Sequence, residues 1–133
     1  MGRGAEAVFF KKSPVAEALD RLDPLFEENW GYESVKTAIR NRMRDGEKAI
    51  QEQLAKGRDP TEICLGAIAQ YTRHEIVYGS GNFTYRGLLS MKGSQLHAAY
   101  GTAMGELLRR GHITEEIRAE RASELREIIK GMG

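Results

Sequence analysis

An intramolecular disulfide is closed to this chain, which has a single cysteine, Cys64. A lone thiol has no partner within the chain, and Cys64 falls in an apolar helical run, so a reducing compartment is expected rather than an oxidising one. Long hydrophobic runs are lacking too. None approaches the roughly 18 residues needed to cross a bilayer, and the first residues lack the basic, apolar and small-residue order of a secretory leader. Glu6 stands where an N-myristoylation signal requires Ser or Thr. The expectation is a cytoplasmic protein with no membrane association. Proline is scarce, with only Pro14, Pro24 and Pro60. Each follows Ser or Asp, the pairing of a helix cap with proline at the first helical position. Strong net charge is missing as well: 20 basic and 19 acidic side chains leave +1, which weighs against a dedicated nucleic-acid domain.

What is present fits one folded unit. A chain of 133 residues that is 41% hydrophobic and 29% charged has the size and composition of a single domain. Residues 1–12 carry no helix cap and read as a loose tail, although Val8, Phe9 and Phe10 form an apolar clump that could dock on the core or on a partner. Residues 13–133 read as a single helical domain, with no internal repeat and no linker. From Ser13-Pro14, Val15, Ala18, Leu19 and Leu22 fall on one face. Asp23-Pro24 breaks or kinks that helix before Leu25, Phe26 and Trp30, and Gly31 ends it. From Ser34, Val35, Ile39, Met43, Ile50 and Leu54 keep one stripe, which predicts a single long helix weakened at Gly46 and capped by Gly57.

Asp59-Pro60-Thr61-Glu62 is the clearest helix start, with the cap followed three residues later by Glu62. The helix it opens carries Ile63, Cys64, Ala67, Ile68 and Tyr71 inward with Leu65 on a flank, and reads as the central one. Ile76-Val77-Tyr78 and Phe83-Thr84-Tyr85 are β-favouring runs around Gly-Ser-Gly-Asn, consistent with a small hairpin or a glycine-rich loop. Helix resumes near Ser94 and runs to about Arg110 with Leu96, Ala99, Tyr100, Ala103, Met104 and Leu107 inward. Its Ala98, Gly101, Thr102 and Gly105 make one side small enough for a neighbouring helix to approach closely. Gly111 stops it, and Thr114 caps a last helix with Ile117, Leu125, Ile128 and Ile129 inward. The fold expected is a compact all-α bundle of about five helices, with a glycine-rich loop or small hairpin near residues 76–93.

Chemistry is harder to locate. His74-Glu75 resembles half of a zinc-protease helix, but position 78 is tyrosine rather than the required second histidine. His97 and His112 are far apart in sequence, so no metal site and no cofactor is implied. Glu115, Glu116, Glu120, Glu124 and Glu127 interleave with Arg118, Arg121 and Arg126, the pattern of a solvated salt-bridge face. The glycine-rich segment 78–97 holds the candidate anion or ligand residues Tyr78, Tyr85, Arg86, Lys92, Ser94 and His97. Lys92-Gly93-Ser94 would place a lysine and a hydroxyl at a helix start, where free N–H groups and the dipole favour phosphate or carboxylate, although the spacing is not that of a Walker A loop.

Charge is distributed unevenly. Residues 14–29 hold five acids against one base, and residues 34–58 hold seven bases against three acids. The two segments either pack with complementary faces or leave a basic face for a polyanion, for which Lys36, Arg40, Arg42 and Arg44 on the helix at 35–44 are the candidates. The reading adopted is a small non-catalytic helical interaction or regulatory module that self-associates, through the small-residue helix or the apolar tail. The alternative is a nucleic-acid or nucleotide- and phosphate-binding protein using the basic helix or the glycine-rich segment. An enzyme would have to draw on Tyr78, Tyr85, Arg86, Lys92 and His97, among which no acid, base and nucleophile can be assigned.

Overall fold

In the computed structural model, residues 13–27, 32–78 and 91–131 are described, with side chains from residue 95 onward in the last of these segments. Residues 1–12, expected as a tail, Trp30, Gly31 and residues 79–90, the middle of the segment expected as a glycine-rich loop or small hairpin, lie outside them. The described residues form six α-helices and no strand: α1 (Pro14–Arg21), α2 (Tyr32–Asp45), α3 (Glu47–Ala55), α4 (Pro60–Tyr78), α5 (Met91–Arg109) and α6 (Glu115–Gly131), with one 3-10 turn at Asp23–Phe26 between α1 and α2.

The helix starts follow the capping chemistry. Ser13 Oγ accepts from the Ala16 N–H at 3.1 Å, Asp59 Oδ1 from the Thr61 N–H at 3.1 Å, and Thr114 Oγ1 from the Ile117 N–H at 3.1 Å. Each satisfies a donor that the first helical turn leaves free. Two ends are closed by glycine in the left-handed region, Gly57 at φ +84° and Gly111 at φ +80°. At the first, Gly57 N–H donates to Leu54 O and Arg58 N–H to Gln53 O; at the second, Gly111 N–H donates to Leu108 O and His112 N–H to Leu107 O. These paired bonds make both ends Schellman motifs. A Cβ at Gly57 would meet nothing within 4 Å, so Gly57→Ala should cost about 1 kcal/mol through backbone strain alone. Urea denaturation checks this, and Gly57→Asn should recover part of the loss.

Packing is organised around α4, which shares its largest interface with α5 and also contacts α1, α2 and α6. Its buried set is Ile63, Cys64, Leu65, Ile68, Ala69, Thr72 and Ile76. Leu65, expected on a flank, is fully enclosed because α4 is surrounded on several sides. The two polar members are satisfied: Thr72 Oγ1 donates to Ile68 O at 2.7 Å, and Cys64 Sγ donates to Val15 O at 3.1 Å, tying α1 to α4. Burial pushes the Cys64 thiol up to about 12, which keeps it protonated and unreactive at neutral pH. Phe26 stacks on Tyr32 with centroids 4.3 Å apart and planes 5° apart, anchoring the 3-10 turn to the start of α2.

Three expectations are corrected. Ile76-Val77-Tyr78 extends α4 instead of opening a strand, because Ile76 continues the buried helical stripe. The first arm of the hairpin alternative is therefore helical, and the second lies outside the described residues. The long helix from Ser34 is two helices divided at Gly46, where Gly46 N–H still bonds to Arg42 O and Ile50 N–H to Gly46 O. The glycine lets the chain bend while the apolar stripe continues. Ile117 is exposed, since α6 buries only Leu125 and Ile129.

Candidate functional site

The basic candidates on α2 do not form one free face. Lys36 is 4% exposed, and its Nζ lies 2.9 Å from Asp20 Oδ1 and 2.8 Å from Asp23 Oδ1. Arg40 Nη2 donates to the same Asp20 oxygen at 2.8 Å. The acidic and basic segments thus meet through their side chains: Lys36 is enclosed between the carboxylates, and Arg40 is paired with Asp20 at the surface. Lys36 is therefore a buried structural cation and not a phosphate contact, because its ammonium is enclosed between carboxylates. Burial alone would lower the Lys36 pKa, but the hydrogen bonds and charges of Asp20 and Asp23 outweigh it and leave it raised.

Arg42 and Arg44 are exposed. The Arg42 guanidinium sits over the Tyr71 ring, 5.0 Å from its centroid, a cation–π contact. The Tyr71 hydroxyl donates to Glu75 Oε1 at 3.1 Å. Arg44 Nη2 donates to Asn41 Oδ1 at 2.9 Å. Arg42 borders the space between α3 and α4, and Arg44 borders the space between α3 and α1.

Of the anion candidates, Tyr78 and His97 have described side chains. Tyr78 ends α4 at 70% exposure, its ring tilted against His74 at 5.1 Å. Tyr85 and Arg86 lie outside the described residues, as do the side chains of Lys92 and Ser94. The backbone does place Ser94 inside the first turn of α5, which begins at Met91. Ser94 is therefore not the helix cap that the sequence pattern suggested. His97 is exposed on α5, on the lip of a cleft of about 250 Å³ between α5 and α6.

That cleft was partly visible in the sequence as a small-residue side of the helix. Gly101 and Gly105 line it, together with Tyr100, Met104 and Leu125. A Cβ added at either glycine would meet no atom within 4 Å. The expected close approach of a neighbouring helix is thus not made there among the described residues. Arg118 and Arg126 border the cleft, and Arg118 is held by Glu115 through Nε at 2.8 Å.

No protein-family model, no curated protein and no solved structure matches the chain. The functional reading therefore rests on side chains and surfaces. Among the described residues no three His, Cys, Asp or Glu side chains are placed to hold a metal ion, and no helix is long and apolar enough to cross a membrane. The histidine that sequence reasoning set aside, His112, bridges two elements. It lies 3.6 Å from Asp59 Oδ2 and 3.6 Å from Glu62 Oε1, which sets the α5–α6 corner beside the start of α4. The signal was the acidic cap Asp59 and Glu62, but no spacing rule links it to a histidine some fifty residues away.

Proposed function

We propose that this chain is a small non-catalytic helical interaction module that self-associates through the face of α5 bearing Gly101 and Gly105. The observation that carries the reading is energetic. Glycine in a helix interior costs about 1 kcal/mol relative to alanine, and the space around Gly101 and Gly105 would accept a Cβ without contact. The monomer derives no packing benefit from either glycine. A second copy laid across this face would, because two backbones can approach closely only where side chains are missing. The adjoining cleft, with Tyr100, Met104 and Leu125 in its lining, supplies apolar surface beside the glycines. Burial of such surface, more than hydrogen bonding, drives association. A twofold arrangement uses the same patch on both copies.

Gly101→Ala and Gly105→Ala should each raise monomer stability by about 0.5–1 kcal/mol, read by thermal melting at low concentration. In sedimentation velocity over a range of concentrations, wild type should show reversible association. Each alanine variant should weaken it, and Gly105→Leu should abolish it. A wild-type chain that stays monomeric at every concentration sinks the proposal. So does association that Gly105→Leu leaves intact.

A further inference from the structure

The least anchored described helix is α3. It contributes no buried side chain, Gly46 precedes it, and Gly57 with positive φ follows it. Its apolar residues Ile50 and Leu54 are only half-buried. Space opens on both of its flanks: about 460 Å³ against α1, walled by Val15, Met43, Ile50 and Leu54, and about 330 Å³ against α4. Met43 of α2 and Ile50 of α3 line both spaces, so these two side chains separate a cleft on each side of the helix.

The two clefts differ in charge. The one against α1 has Asp20 and Glu47 beside Arg40 and Arg44, and is balanced. The one against α4 has an apolar wall of Ile39, Met43, Ile50, Ile63 and Ala67, and its polar lining is Arg42, Gln70, Tyr71 and His74, with no carboxylate. The Arg42 side chain forms no ion pair among the described residues; its guanidinium lies over the face of Tyr71. The Tyr71 hydroxyl is itself directed to Glu75. An apolar cavity of a few hundred cubic ångströms with a few polar groups at its mouth is the usual form of a small-ligand site. A cation without a counter-ion at that mouth fixes the sign of the ligand.

We propose that the cleft between α3 and α4 binds a small amphipathic anion, a medium-chain or aryl carboxylate. The apolar body lies against Met43, Ile50 and Ala67, and the carboxylate is taken by the Arg42 guanidinium, whose forked donors can hold it by two hydrogen bonds. The flanking glycines let α3 settle over the ligand without unpacking the core. This site is independent of the α5 face, so each stands or falls alone.

The test is titration of the folded protein with sodium octanoate, followed by ¹H–¹⁵N chemical-shift mapping, with octanol and octylammonium chloride as matched probes. Octanoate should shift the amides of Gly46, Ala49, Ala67 and Tyr71 and bind with a dissociation constant of about 1 mM or tighter, ahead of the other two. Arg42→Gln should weaken octanoate about tenfold, the scale of one charge-assisted hydrogen-bonded pair, and leave octanol unchanged. Ala49 is exposed at the lip, so Ala49→Trp should block all binding without disturbing the fold, as circular dichroism would show. Equal affinity for the three probes, shifts scattered over the chain, no binding, or an Arg42→Gln variant that binds octanoate normally would each overturn the assignment.

Discussion

Lys36→Ala is expected to lower stability by about 2–3 kcal/mol, one of the largest losses available from a single polar side chain in this protein. The ammonium is almost wholly enclosed and is the counter-ion of both Asp20 and Asp23. Removing it takes the cation from Asp23 and leaves Asp20 with Arg40, 2.8 Å from its Oδ1, beside the α1–α2 junction. A fully buried pair broken in this way costs about 3–5 kcal/mol. Asp20 and Asp23 retain 26% and 46% side-chain exposure, so water re-solvates them and reduces the loss. Lys36→Met separates charge from packing, because it keeps the aliphatic stem; it should recover under half of the loss in urea denaturation. A Lys36→Met variant as stable as wild type would show that the stem alone matters. The linkage sign follows from the raised pKa of Lys36. Its stabilisation is complete below the ordinary lysine value of 10.5 and is lost as pH rises through the folded value. The lysine charge therefore contributes steadily at neutral pH and is lost in strong alkali.

Lys36 also shows where sequence reading stops. The opposite charge of residues 14–29 and 34–58 was legible as composition, and so was the option that the two segments neutralise each other. Which lysine points inward was not, because helical phase places Lys36 one residue from Val35 and three from Ile39, at the edge of the apolar stripe. Burial there depends on Asp20 and Asp23 arriving from another element. The helix starts at Ser13, Asp59 and Thr114 were readable because capping is local chemistry. The core faces of α1 and α5 were readable because periodicity reports one side of a helix. Ile76-Val77-Tyr78 misled because three β-branched or aromatic residues favour a strand only when no neighbouring helix buries one of them, and here Ile76 is fully buried. Gly46 misled because the apolar stripe runs through it unbroken while the backbone bends. The open face at Gly101 and Gly105 was visible as small residues, but its emptiness is a tertiary fact.

Acid should unfold this protein in part through Glu106. The carboxylate is hidden from water by its own helix: Arg109 Nε donates to Oε1 at 2.9 Å, Arg110 Nε donates to Oε2 at 2.7 Å, and Arg109 Nη2 also meets Oε2. The Arg109 hydrogen bond is the main cause, set against a smaller opposing effect of burial. With Arg110 assisting, Glu106 is held down at about 2, against the usual 4.5. A carboxylate whose pKa is depressed on folding contributes stability that is full above the ordinary value. It is lost as pH falls from about 4.5 toward 2. The full shift corresponds to roughly 3 kcal/mol. Arg109 is 67% exposed and Arg110 35%, and solvent screens exposed guanidinium groups, so about 1–2 kcal/mol is the expected share. Glu106→Gln should therefore be destabilised by that amount at pH 7 and by almost nothing at pH 2, when the two proteins are compared by urea midpoint across the range. Part of the interaction survives in the unfolded chain, because the partners are only three and four residues away and re-form in any transient helix. A difference between Glu106→Gln and wild type that stays constant from pH 7 to pH 2 would mean that the side chain acts through packing and not through charge.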